Sequence, residues 1–374
     1  MGGVVGSKKI LAGGITAVVL IAIAVAVFVF AFTKHSGGGG GGDAGNANNN
    51  NNSNSNAAIK NAVRAVCSST SYRETCETSL SQVNTTDPKE LLKYAMEVAL
   101  RGVGDLLANS TLLRRAAEDA ATRDALYVCE DVFDLAVDEM RRSLEKVGEL
   151  ELSKMSEYAG DVRTWLSAVV TNQETCIDAF QNTTGDVGKK MENLMKTVRE
   201  MSSNCLAIVT QMSDLASQLE IGGVRRKMMS DEPPRGWRRR LLEADRTPDA
   251  VVALDGSARF SSINDAISAA PEMNARPFVI HVKEGLYAET VVVPKKKDNI
   301  VLIGDGPEKT RITGNLNFAA GVKTFVTATV AVNARDFFAR DIAVENTAGP
   351  EGHQAVALRV SGDRAVFYNV HIDG

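Results

Sequence analysis

Hydrophobic and polar positions change rhythm four times along the chain. From Ile10 to Thr33 no charged residue occurs, and as a helix rising about 1.5 Å per residue this stretch spans roughly 36 Å, against a bilayer core of about 30 Å. Lys8 and Lys9 precede it, and it is longer than the roughly 7 to 15 apolar residues of a cleaved signal core. The pattern therefore predicts a transmembrane signal anchor over residues 1–35, favoured over a cleaved signal peptide. The glycine run Gly37–Gly42 and the Asn/Ser tract that follows have nothing to bury, so residues 36–56 read as a flexible linker.

From residue 57 to residue 221 the period is helical. Cys129, Phe133, Ala136, Met140, Leu144 and Val147 recur in steps of three and four along one face. A second helix begins at Asp87-Pro88-Lys89-Glu90. There Asp87 can cap, Pro88 gives up no needed donor, and Glu90 sits in the positive first turn. Leu91, Leu92, Ala95, Met96, Ala99, Val103 and Leu106 supply its apolar stripe. Val162, Leu166, Val169, Cys176 and Phe180 mark a third helical segment, and Val187 to Leu219 a fourth. Four amphipathic segments with short connections predict an all-α up-and-down four-helix bundle over 57–221.

Between 222 and 247 the periodicity stops. Gly222-Gly223, Pro233-Pro234 and the cations Arg225, Arg226, Lys227, Arg235, Arg238, Arg239 and Arg240 describe an exposed linker, open to a processing protease. Over 248–374 the rhythm becomes that of short strands: Phe278–Val282, Glu289–Val293, Ile300–Ile303, Arg311–Thr313, Thr327–Val332, Asp341–Val344, Ala355–Val360 and Ala365–Ile372. Turn residues such as Gly304-Asp305-Gly306-Pro307 separate them. Only Ser262 to Ala270 reads as a helix. Coils of about two dozen residues suit a parallel β-helix, with a β-sandwich as the competing all-β arrangement.

Composition narrows the function classes. The 42 Lys plus Arg against 46 Asp plus Glu give a net charge of −4, so no global field draws a nucleic acid partner. All five cysteines lie in the helical part. Cys67 and Cys76 are spaced for a clip on a helical hairpin, while Cys129 and Cys176 lie on apolar stripes and could tie two helices together. Spacing alone leaves three connectivities open. The four histidines are remote from the cysteines and show no ligand spacing, so no metal or other cofactor is expected. N-x-Ser/Thr sequons at Asn51, Asn84, Asn109 and Asn182 agree with a secretory route, which also permits disulfides.

In the helical part, Ile59, Cys67, Ser71-Tyr72, Cys76, Ser79-Leu80 and Asp161-Val162-Arg163-Thr164-Trp165-Leu166-Ser167-Ala168 leading to Thr175-Cys176 resemble the plant pectinesterase inhibitor family. The strand part resembles the N-terminal portion of a plant pectinesterase. The resemblance rests on Val251-Val252-Ala253, Gly285-Leu286-Tyr287-Ala288-Glu289, Val293-Pro294-Lys295-Lys296-Lys297, Glu345-Asn346-Thr347-Ala348-Gly349-Pro350 and above all Gly352-His353-Gln354-Ala355-Val356-Ala357-Leu358-Arg359. The order matches that of inhibitor-plus-enzyme proproteins. The resemblance implies pairs Cys67 with Cys76 and Cys129 with Cys176, a free Cys205, and processing at Arg239-Arg240-Leu241-Leu242, with Arg225-Arg226-Lys227-Met228 as a second candidate.

It also implies a right-handed parallel β-helix enzyme that hydrolyses the methyl esters of homogalacturonan and acts in the cell wall after processing. One Asp serves as nucleophile, a second as general acid and base, and glutamines hold the oxyanion. Two neighbouring carboxylates repel, so one can keep its proton while the other attacks. Matched residue by residue, Gln354 takes the oxyanion and substrate role and Thr324 a substrate contact. The motifs that carry the two aspartates are expected after Gly374, so the chain as it stands is expected to be inactive. Asp373 falls on the variable position before them, and Asp336 and Asp341 read as turn and strand-end residues. The alternative is a non-catalytic protein whose bundle inhibits its own or another pectinesterase domain.

Overall fold

The computed structural model describes residues 49–149, 155–219 and 247–374. The expected membrane segment and both processing motifs lie outside these residues. Among the described residues no helix is long and apolar enough to cross a membrane.

Six helices build the first half: α1 (Asn49–Cys67), α2 (Arg73–Ser79), α3 (Pro88–Ala116), α4 (Ala120–Glu149), α5 (Met155–Asp178) and α6 (Val187–Leu219). The helix α1 begins inside the Asn/Ser stretch expected as linker, where the chain runs straight into the turns that carry the buried Val63 and Val66. Helix α3 starts where the sequence places it: the Lys89 amide donates to Asp87 Oδ1 at 2.9 Å, and Pro88 occupies the first turn. Asp119 does the same for α4, accepting from the Thr122 amide at 2.7 Å, and these bonds hold its carboxyl below the ordinary range. Helix α5 ends at Asp178, so Phe180 packs from the turn beyond it.

Leu91, Leu92 and Met96 of α3, Phe133 and Met140 of α4, Leu166 of α5 and Met191 of α6 are fully buried together in one core. Disulfides join Cys67 to Cys76 and Cys129 to Cys176. Cys205 is free and buried, and burial pushes its thiol up to about 12. Two buried polar residues reach across the bundle. Gln173 donates to Ser202 at 3.0 Å, and Asn204 exchanges two bonds with the backbone of Tyr72, fixing the turn into α2.

The second half contains β1 (Ala250–Val252), α7 (Ile263–Ala269), β2 (Phe278–Val282), β3 (Gly285–Ala288), β4 (Val291–Val293), β5 (Ile300–Gly304), β6 (Thr310–Gly314), β7 (Val330–Val332), β8 (Phe338–Asn346), β9 (Leu358–Val360) and β10 (Val366–Asp373). Every strand pair is parallel, which excludes the sandwich. Register runs in columns: Ala250, Ile280, Leu302, Ala339 and Phe367 on one face, Tyr287, Ile312, Val344 and Ile372 on a second, Val291, Val330 and Leu358 on a third. Successive coils are thus of unequal length, because loops are inserted between some faces, and the expected uniform two dozen residues does not hold.

Strand β8 spans two faces, pairing with β5 through Phe338–Arg340 and with β6 through Ala343–Asn346. It bends at Asp341, which has φ 57°. Gly304 lies under that bend, where a Cβ would come 2.2 Å from the Asp341 carbonyl oxygen. Asp336 also has φ 57°, as do Asn299 (58°) and Arg364 (57°) at equivalent corners of neighbouring coils. The coil interior is apolar, with Tyr287 enclosed and its hydroxyl donating to the Lys283 carbonyl at 2.9 Å. Burial pushes that phenol up to about 12.

Candidate functional site

Gln354 and Thr324 come from different coils, and hydrogen bonds through Thr327 and Val356 link the two segments that carry them. Thr324 opens a 3-10 turn, Thr324–Val326, and its carbonyl accepts both the amide (3.1 Å) and the hydroxyl (2.8 Å) of Thr327. The Thr327 hydroxyl in turn accepts from the Val356 amide at 3.1 Å, two residues beyond Gln354. Gln354 is exposed. Its backbone carbonyl takes the Phe318 amide at 2.9 Å, which anchors the backbone while the side-chain amide faces outward.

The turn that presents Gln354 is tight. Gly349 has φ 69° and His353 φ 57°, an unusual conformation for a residue with a Cβ. Gly352 is buried, and a Cβ there would meet Ala348 at 2.9 Å and Asn317 at 3.1 Å. Beneath the loops, the buried Asn346 carboxamide donates to the carbonyls of Leu316 (3.0 Å), Thr327 (3.3 Å) and Val356 (3.2 Å). One side chain thereby ties three segments, and of the three carbonyls that of Val356 also accepts the Thr329 amide at 3.0 Å.

Two residues of this neighbourhood escape sequence reasoning. Asn346 is legible only as part of the segment Glu345-Asn346-Thr347-Ala348-Gly349-Pro350, with no sign of its triple role. Arg359 closes the Gly352–Arg359 segment. Its guanidinium lies 3.7 Å from the Phe325 ring centroid and donates to Asn333 Oδ1 at 3.0 Å and Ser361 Oγ at 2.9 Å. Burial pulls its pKa below the ordinary arginine value, opposed by the charge of Asp131 on α4.

Helical residues press on this loop region. Lys323, a residue 7 % exposed, donates from its ammonium to the Gln181 carbonyl at 3.2 Å, and Phe325 and Val326 pack against the bundle core. Lys295 pairs with Asp134 at 2.6 Å and Asp138 at 2.9 Å. Asp363 receives Arg142 at 2.7 Å and the Trp165 indole at 3.2 Å, with the Arg142 guanidinium 4.2 Å from the Trp165 ring centroid. Glu139 beside Arg142 is pushed up to about 7, chiefly by burial and further by Asp363 and Asp138, against the pull of Arg142.

The other sequence-marked residues lie elsewhere. Asp373 sits on β10 in register with Glu345, and Arg311 lies between them, 3.9 Å from Asp373. Asn84 and Asn182 are exposed in turns, Asn182 with φ 63°. Asn109 is half-buried within α3, where its amide donates to the Asp105 carbonyl at 2.8 Å. Asn51 lies on α1.

Residues 61–208 match the family described as plant invertase/pectin methylesterase inhibitor, and residues 249–374 match the pectinesterase family. Among curated relatives, the probable pectinesterase/pectinesterase inhibitor 21 of Arabidopsis thaliana is 41% identical over 329 residues, covering 85% of this chain and 49% of the relative. Probable pectinesterase/pectinesterase inhibitor 58 of the same plant is 40% identical, covering 84% of this chain and 58% of the relative. The chain thus spans about half the length of the curated relatives it matches. A solved pectin methylesterase from carrot is 48% identical over 33% of this chain and 39% of its own, with a TM-score of 0.33.

Proposed function

Since this chain belongs to the plant pectinesterase/pectinesterase inhibitor family, we propose that it is the precursor of a cell-wall esterase that removes methyl groups from homogalacturonan. The observation that carries this is the exposed Gln354 on its strained turn, tied through Val356 and Thr327 to Thr324. A carboxamide N–H held on a braced loop can donate to the oxygen that turns negative when an ester carbonyl is attacked, and it adds no competing charge. Thr324 then contacts the sugar chain.

The attacking carboxylate and the carboxylic acid that protonates departing methanol are assigned to the two aspartate motifs expected beyond Gly374. The bundle travels with the enzyme half through the secretory route behind the N-terminal anchor, glycosylated at its exposed sequons. Cleavage at Arg239-Arg240-Leu241-Leu242 separates the halves. A second reading, in which the bundle inhibits another pectinesterase, is favoured by the way Lys323, Phe325 and Val326 are already held against helical residues.

Methanol release from methyl-esterified homogalacturonan tests the proposal. The 374-residue chain should release none above background. A chain extended by coils carrying both aspartate motifs should turn over, and Gln354→Ala in that longer chain should lower kcat about 10²- to 10³-fold. Turnover by the 374-residue chain would refute the placement of the carboxylates.

A further inference from the structure

The segment that begins with the Thr324 turn and the segment 354–359 are stitched together at two places. One stitch consists of hydrogen bonds: the Val356 amide donates to the Thr327 hydroxyl at 3.1 Å, and the Val356 carbonyl accepts the Thr329 amide at 3.0 Å. The other is Arg359, whose guanidinium carbon lies 3.7 Å from the Phe325 ring centroid. Phe325 follows Thr324 in the same 3-10 turn. The first stitch thus holds the end that carries Gln354, and the second the end that carries Thr324.

Arg359 is itself anchored to the sheet. It lies on β9 in register with Ala331 of β7, and its Nη1 donates to Asn333 Oδ1 at 3.0 Å and to Ser361 Oγ at 2.9 Å. Asn333 and Ser361 are the first residues past β7 and β9, and their amides are bonded to the Val293 and Val332 carbonyls at 2.9 and 2.8 Å. The guanidinium plane is therefore fixed by backbone that is already paired. Packing alone does not account for an arginine here. Its Nε–H is buried with no hydrogen-bond partner among the described residues, a cost that a Leu or Met in the same space would avoid. What the arginine adds is a rigid cationic plane against the Phe325 ring.

We propose that Arg359 is a positioning residue of the ester-cleaving site, acting through Phe325 to set the place of the Thr324 turn. Gln354 is placed independently, by the bonds of Val356 and by the Phe318 amide on its own carbonyl. Phe325 also packs against the bundle core. When cleavage removes the bundle, the Arg359 contact is the one of these two that stays. The inference rests on the esterase reading for what Thr324 and Gln354 do, whereas the positioning is measured without any turnover.

Amide exchange in the 374-residue chain reads the positioning. Arg359→Gln should speed exchange at Val326 and Thr327 at least about tenfold. Phe318 and Thr329, whose amides bond the Gln354 and Val356 carbonyls, should be unchanged. An arginine that only fills space would loosen all four alike. Phe325→Leu should act in the same way, and the double variant should exchange no faster than the faster single, since both remove one contact. Phe325→Leu also carries the test if Arg359→Gln does not fold. In the chain extended by both aspartate motifs, Arg359→Gln should raise KM for methyl-esterified homogalacturonan at least about fivefold and leave kcat within about twofold, the reverse of Gln354→Ala. Unaltered exchange at Val326 and Thr327, equal loosening of all four amides, additive effects in the double variant, or a fall in kcat with KM unmoved overturns the proposal. Absence of methanol release from the unaltered extended chain overturns the esterase reading alone, and exchange still decides the positioning.

Discussion

The helical and strand halves are held together at different distances along the chain. In the bundle, side chains three and four apart share a face, and Cys129–Cys176 closes a span of 47 residues covalently. In the coils, each strand pairs with one a whole coil away, and all five cysteines lie in the other half. The strand half relies instead on single residues: Gly304 under the β8 bend, Asn346 beneath the loops, Tyr287 inside the coil. A bundle of local contacts can form early, whereas parallel coils must close long loops first. Damage to the first half should therefore be graded, and damage to the second concentrated at a few positions.

The largest contrast should come from Cys129→Ser with Cys176→Ser. Opening a 47-residue loop is worth about 4 kcal/mol in the chain-entropy account. Urea unfolding followed at 222 nm should lose that amount in the helical transition and little in the strand half. An equal loss in both halves would mean that they unfold as one. Next comes Gly304→Ala. Its methyl group meets the Asp341 carbonyl oxygen and the Thr310 side chain, so a loss of about 1–3 kcal/mol is expected, confined to the coils.

Asn346→Ala takes a donor from the Leu316 and Thr327 carbonyls, while Val356 keeps the Thr329 amide, and should cost about 1–3 kcal/mol. Unlike Gly304→Ala, it should also loosen the Gln354 turn, seen as faster amide exchange at Val356. Stability lost without that local loosening would make Asn346 a general core residue rather than a brace of the site.

The smallest effect concerns pH at the seam between the halves. Glu139 stands at about 7 in the folded chain, against an ordinary value of 4.5. A carboxyl raised in this way binds its proton more tightly when folded. Its contribution is fully present below about 4.5 and disappears as pH rises through 7. Asp131 is also raised by burial and acts in the same direction. The thermal midpoint should thus fall between pH 5 and pH 8, and Glu139→Gln should flatten that slope. A midpoint that rises over the range, or a slope unaltered in the variant, would remove Glu139 from the account.

Much of this fold is legible in the sequence, and the gaps have physical causes. Period and caps place α3 and α4 because every signal, Asp87, Pro88 and the apolar stripe, acts within one or two turns. The strands β2, β5 and β10 are legible from their apolar runs. By contrast, β3 is not: Gly285 opens it, Leu286 points to solvent, and pairing with β6 alone makes it a strand. The start of α1 within an asparagine tract is equally silent. Gln354 and Thr324 were marked by resemblance. That their segments are linked through Thr327 and Val356, that Asn346 braces them, and that Arg359 stacks on Phe325 depend on how loops from different coils cross. The seam is further still from any local signal, since Arg142 and Asp363 are 221 residues apart.

The central claim is that helical residues hold the Thr324 turn, through the Lys323 bond to the Gln181 carbonyl and the packing of Phe325 and Val326 on the bundle core. Amide exchange of Val326 and Thr327, both bonded within that turn, tests it most directly when the intact chain is compared with Lys323→Met, which removes the bond to the Gln181 carbonyl. The account predicts clearly faster exchange at both amides in the variant, with α3 and β2 unchanged. Identical exchange at Val326 and Thr327 in the two proteins would show that the turn stands without the helical half, and would contradict it.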